Sequence, residues 1–177
     1  MSEETVKQKT TFELLFEKNV NDKVEKKDGL TYLSWAIAWG ECKKLDPEAQ
    51  YVIHENSEGL PFFNSSVGAD VKVSVTIKGI THTMRLPVMN GSNKAMKTEP
   101  YTYTTKYGEK TVEAFTSFDV NKTIMRCLVK AIAMHGLGLY IYAGEDLPET
   151  DEPKKEKTES DTPTDNSTKA SRSFRRK

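Results

Sequence analysis

From Val71 to Leu86 apolar and polar residues alternate with a period of two, in "VKVSVTI" and "ITHTMRL", joined by Lys78-Gly79. That period predicts two strands, and a two-residue connection ending in glycine predicts a hairpin. Setting Ile77 opposite Ile80 brings Val75 to His82, Val73 to Met84 and Val71 to Leu86. The other face then pairs Thr76 with Thr81, Ser74 with Thr83 and Lys72 with Arg85. One face is apolar, the other hydroxylated and cationic. His82 falls on the apolar face, where a lone histidine reads as a satisfied core residue. The period changes to that of a helix in "SFDVNKTIMRCLVKAIAMHG". Ile124, Met125, Leu128, Ala131 and Ile132 fall within an arc of about 120°. Ser117 or Asp119 would cap the start and Gly136 the end.

Shorter signals fill the chain. Residues 30–45, "LTYLSWAIAWGECKKL", read as a helix with Trp35 and Trp39 on one face and Leu33 and Ile37 on the opposite one. A helix apolar on two sides is buried on both, which assigns the tryptophans to core packing. Asp46-Pro47 stops it, because proline pushes the preceding residue out of helical geometry. Residues 49–55 read as a strand. "PVMNGSNKAMKTEP" is a turn-rich connection carrying Lys94 and Lys97. A second hairpin around Tyr107-Gly108 sets Tyr101 and Tyr103 on one side, with Lys106 and Lys110 near its tip. From about Glu149 the chain has one aromatic and no aliphatic beyond an alanine, so it cannot offset the entropy of ordering and is predicted disordered. Its end, Arg172 to Lys177, is a basic cluster around Phe174. The expected organisation is one domain over residues 1–148 and a charged tail over 149–177.

Charge changes the picture by where it lies. The 177 residues carry 26 basic and 26 acidic side chains, for a net charge of zero. Residues 72–130 nevertheless hold 10 Lys/Arg against 4 Asp/Glu, and such segregation points to a polyanionic partner. Lys122, Arg126 and Lys130 form a slanting row on the helix, away from its apolar arc, with only Asp119 placed to offset it. Lys72 opposite Arg85 is unfavourable by itself. Either an anion occupies that face or both side chains splay into water. Tyr101 and Tyr103 interleaved with lysines suit single-stranded nucleic acid, where bases stack on rings and cations meet phosphates; the same alternation is ordinary strand composition.

Catalytic chemistry has little support. No glycine-rich phosphate loop occurs, His54, His82 and His135 are scattered, and acids are sparse in the basic third. Cys42 and Cys127 have no metal-type spacing and read as two buried free thiols of a cytosolic protein. No run is long and apolar enough to span a membrane, and the polar N-terminus is not a signal peptide. Binding is favoured over catalysis, and no cofactor or metal is expected.

The stretches "YLSWAIAWGECKKLDPEAQY", "VKVSVTIKGITHTMRLPVMNGSNKAMK" and "FDVNKTIMRCLVKAIAMHGLGLYIYAGEDLP" resemble the Sak-type single-strand annealing proteins of bacteriophages, distant relatives of the eukaryotic Rad-fifty-two annealing protein. The likeness covers about residues 10–148. It implies an α+β fold with a β-β-β-α core, a long helix crossing a curved antiparallel sheet, and an extra hairpin. It also implies rings or helical filaments of identical subunits, with single-stranded DNA along a basic groove, backbone inward and bases exposed. In such proteins basic residues on the helix before the glycine hold the backbone; Lys130 matches that position, with Arg126 and Lys122 one and two turns earlier. The eukaryotic branch has a basic residue on the early helix, where this chain reads "SWAIAWGE" without one. The expectation is annealing without ATP, in phage-type recombination in the cytoplasm of a bacterial host. The tail is a candidate contact for a host single-strand-binding protein. A passive single-strand-binding module, a metal-dependent nuclease and a purely structural interaction protein are the alternatives.

Overall fold

The computed structural model describes residues 8–27 and 30–143. In chain order the elements are α1 (Thr11–Phe16), β1 (Val24–Lys27), β2 (Leu30–Leu33), α2 (Trp35–Leu45), β3 (Gln50–Ile53), β4 (Phe63–Ser65), β5 (Gly68–Ile77), β6 (Ile80–Pro87), β7 (Tyr101–Thr105), β8 (Gly108–Val112) and α3 (Ser117–Ala133). A 3-10 turn, Leu139–Tyr142, follows α3.

β5 is the spine of the main antiparallel sheet. β6 pairs along one edge, while β3 and β4 share the other, β3 against Val73–Thr76 and β4 against Gly68–Asp70. The β5–β6 register is the one the alternation predicts, from Ile77 opposite Ile80 to Lys72 opposite Arg85. Lys78 and Gly79 both have positive φ, 49° and 77°, the left-handed pair whose twist suits a tight hairpin. The Asp46 carboxylate braces this turn. It accepts the Lys78 N–H at 2.6 Å and the Glu48 N–H at 3.1 Å, tying the end of α2 to the hairpin tip. The bond from Lys78 is the main reason the Asp46 carboxyl is held below its usual range.

The expected α+β architecture is present: β3, β5 and β6 form the three-stranded core, and α3 packs on one face of it. The separate β7–β8 hairpin is inserted before α3. Val71, Val73, Val75 and Ile77 of β5 are fully buried, as are Cys127, Leu128, Ala131 and Ile132 of α3. Complete burial of each Val, Leu or Ile side chain contributes about 1.5–3 kcal/mol. Both thiols are buried and free, as expected. Burial pushes Cys42 up to about 12 and Cys127 up to about 11, so neither is a nucleophile near neutrality. His82 is only half buried on the core side, its ring 4.4 Å from that of His135. His135 is the buried histidine, with Nε2 3.1 Å from the Val75 carbonyl oxygen. Burial lowers its pKa, which that carbonyl partly offsets.

Several boundaries differ from the sequence expectation. Leu30–Leu33 is a strand paired with β1, not the first turn of a helix; α2 begins only after Ser34. A short apolar run fits either period, and pairing with Val24–Lys27 decides it here. Trp39 packs edge-on against Tyr51 at 5.0 Å, but Trp35 is 45% exposed and is not a core residue. The cap of α3 is Thr116, one residue before Ser117. Its hydroxyl accepts the Asp119 N–H while the Asp119 carboxylate accepts the Thr116 N–H. The β7–β8 turn is Lys106-Tyr107, with Gly108 already paired to Thr105. The predicted tail 149–177, with its Arg172–Lys177 cluster, lies outside the described residues.

The N-terminal segment is held by charge and by close approach. Gly136 has φ +115° and faces the backbone of α1: a Cβ there would lie 2.6 Å from the Phe12 carbonyl oxygen. Glu41, nearly buried on α2, accepts from Lys44 and Lys18 at 2.9 Å each and from Lys23 at 3.2 Å. Those bonds, Lys44 first and then Lys18, hold its carboxyl at about 2 against burial, which acts the other way. A carboxyl lowered on folding stabilises the native state above its unfolded value of 4.5 and loses that contribution as pH falls towards about 2. Acid unfolding should therefore contain a Glu41 component between those values. Glu41→Gln should lower stability at pH 7 and flatten that part of the profile, as followed by circular dichroism in urea.

Candidate nucleic-acid interface

The row on α3 lines a groove. Lys122, Arg126 and Lys130 stand one helical turn apart, with a rise of about 6 Å between successive cations. Met125 and Val129 lie between them and add apolar surface to the groove wall. The facing wall comes from β2, through Tyr32 and Leu33, and from the first residue of α2, Trp35. Tyr142 completes it, because Gly136 and Gly138, with φ of 115° and 62°, reverse the chain after α3. The groove joins a cationic row to an apolar and aromatic surface.

The three cations have different neighbours. Lys122 Nζ is 3.2 Å from Asp119 Oδ1 and 5.6 Å from the Phe118 ring centroid. Asp119 is shared, since the same carboxylate closes the helix cap. Its pKa is lowered first by the Thr116 hydroxyl and in smaller part by Lys122. Lys130 lies 5.3 Å over the Tyr142 ring. It also stands in the last turn of α3, where the helix dipole favours a positive charge. Arg126, between them, has no ion pair with an acid among the described residues.

The other predicted contacts are placed elsewhere. Lys72 and Arg85 are directly opposed, as expected, but on the face of the sheet away from α3, because side chains alternate along a strand. Arg85 donates through Nε to Asp70 Oδ1 at 2.6 Å and lies 5.3 Å over the Phe63 ring. The like-charge pair is thus relieved within the chain by an acid two residues before Lys72. The rest of that face is a hydroxyl ladder, with His54 Nε2 2.6 Å from Ser74 Oγ, Ser74 2.7 Å from Thr83, and Thr76 2.8 Å from Thr81.

Tyr101 and Tyr103 share one side of β7, as predicted, but a lysine already covers each ring. Lys97 lies 5.2 Å over Tyr101 and Lys94 5.4 Å over Tyr103. The Tyr101 hydroxyl also donates to the Ala95 carbonyl at 2.7 Å. At the hairpin tip Lys106 lies 5.2 Å over Tyr107, which is 83% exposed. None of these side chains lines the α3 groove.

Sequence reasoning missed the aromatic wall: Tyr32, Trp35 and Tyr142. The available signal was Ser34, a residue suited to capping, directly before Trp35. It moves the helix start to Trp35 and takes Tyr32 out of the helix. Among the described residues no three His, Cys, Asp or Glu cluster so as to hold a metal ion. No helix among them is long and apolar enough to cross a membrane.

A row of cations beside apolar and aromatic surface suits a flexible polyanion that also presents flat apolar faces, which is the chemistry of a single-stranded nucleic acid. Residues 9–172 match the family model of the Sak single strand annealing protein, and the chain belongs to that family. The match continues past the last described residue. No curated protein and no solved structure matches the chain.

Proposed function

We propose that this protein anneals complementary single strands of DNA without nucleotide hydrolysis, in recombination of the phage type, and that the groove beside α3 holds the DNA backbone. Arg126 carries the reading. It is the middle cation of a row facing an open groove, and no acid among the described residues pairs with it. Family membership supports the same activity.

The mechanism is electrostatic. Lys122, Arg126 and Lys130 replace counterions on successive phosphates, which supplies affinity independent of sequence. Nothing in the scheme reads base edges, so the bases remain able to pair with a second strand. One groove is short, and side-by-side copies of the chain, as a ring or filament, would raise affinity by linking sites. Lys94, Lys97 and Lys106, with Tyr101 and Tyr103, are assigned a second DNA contact outside the groove. Lys72 and Arg85 are assigned a separate contact on the far face, where DNA would have to displace Asp70 from Arg85. The protein acts non-enzymatically in the bacterial cytoplasm, and the tail, outside the described residues, is the segment assigned to a host single-strand-binding protein.

Replacing Arg126 and Lys130 together by alanine should abolish annealing of complementary oligonucleotides while the circular dichroism melt stays that of a folded protein. Annealing at the wild-type rate by a folded double variant contradicts the groove assignment. A protein that binds single strands but slows their pairing is a passive binder instead. Arg126→Ala alone should reduce the dependence of log affinity on log salt by about 0.7, the loss of one phosphate contact on a single strand.

A further inference from the structure

The two tryptophans stand one turn apart on α2 and occupy opposite kinds of surroundings. Trp39 is packed edge-on against Tyr51, with Lys43 5.8 Å over its ring. Trp35 is 45% exposed and lines the α3 groove, and among the described residues neither a ring nor a cation covers its face. The rings on which bases were expected to stack, Tyr101 and Tyr103, are different: each carries a lysine, as does Tyr107 at the hairpin tip. A base meeting those rings must first displace an ammonium group; among the described residues no such group lies over Trp35.

We propose that Trp35 is a base-stacking residue of the groove and sets its preference for single strands over duplex. The inference rests on the groove being the DNA site. A strand with phosphates on Lys122, Arg126 and Lys130 runs along one wall, and the indole stands among the residues of the facing wall. An unpaired nucleotide can turn its base onto that ring. In a duplex both faces of each base are covered by neighbours, and the ring has nothing to stack on without unstacking a step. The apolar surroundings, Leu33 and Met125, further favour the flat face of a base over a phosphate. One stacked nucleotide per subunit leaves the others free to pair, so this contact is compatible with annealing.

The test combines affinity with fluorescence, using a fluorescein-labelled oligothymidylate and a duplex of equal length. Trp35→Ala should weaken oligothymidylate binding by on the order of 5- to 150-fold, the range base–aromatic stacking spans. Duplex binding and the salt dependence should be nearly unchanged, and Trp35→Phe should restore most of the loss. Intrinsic fluorescence should be quenched by oligothymidylate in the wild type and in Trp39→Phe, where Trp35 is the remaining tryptophan, and not in Trp35→Phe. If Trp35→Ala binds within twofold of wild type, or if quenching persists in Trp35→Phe, the stacking role is overturned while the groove stands. If the wild type shows no salt-sensitive single-strand binding, the functional reading fails first. If Trp35→Ala lowers the affinities for single strand and duplex equally, its role is structural and the proposal is wrong.

Discussion

The packing of α3 on β5 is the constraint from which the rest follows. A strand presents every second side chain and a helix every third or fourth, so the two can share only one face of each. Val71, Val73, Val75 and Ile77 meet Cys127, Leu128, Ala131 and Ile132, and all eight are fully buried. Once that contact is made, Lys122, Arg126 and Lys130 cannot enter the core and must line the groove. Lys72 and Arg85 are placed by the same rule on the opposite face of the sheet. The separation of the two cationic groups is therefore a consequence of packing.

A second layer of contacts shapes the groove. Gly136 lets α1 approach the end of α3, and Glu41 holds Lys18 and Lys23 of the N-terminal segment against α2. The N-terminal segment then leads through β1 into β2, which supplies Tyr32 and Leu33 to the wall opposite α3. None of these contacts lines the groove, yet they hold the segment that leads to its wall. They are also where conditions act: a carboxylate held at about 2 keeps its grip through any physiological pH.

Legibility in the sequence tracked the range of the interaction involved. The β5–β6 register was readable residue by residue, because it depends on strict alternation and a two-residue turn between neighbours in the chain. The cationic row on α3 was readable because helical spacing is local. Leu30–Leu33 was not: four residues favour neither period, and β1 selects the strand. The surroundings of Trp35 and Trp39 were not legible either. Their spacing puts them on one helical face, but which ring finds Tyr51 and which finds open groove depends on elements far apart in sequence. The lysine-covered tyrosines were hidden for the same reason. Lys94 and Lys97 reach Tyr103 and Tyr101 across a turn-rich connection whose path composition does not specify.

The central claim is that single-stranded DNA lies between α3 and the β2–α2 junction. Photo-crosslinking of the whole protein to an oligonucleotide carrying a halogenated pyrimidine, followed by mass spectrometry of the linked peptides, tests it most directly. The account predicts links concentrated in two peptides, one spanning Tyr32 to Trp35 and one spanning Lys122 to Lys130. Links concentrated instead on the hydroxyl face of the sheet or on the β7–β8 hairpin, with none in those two peptides, would contradict it.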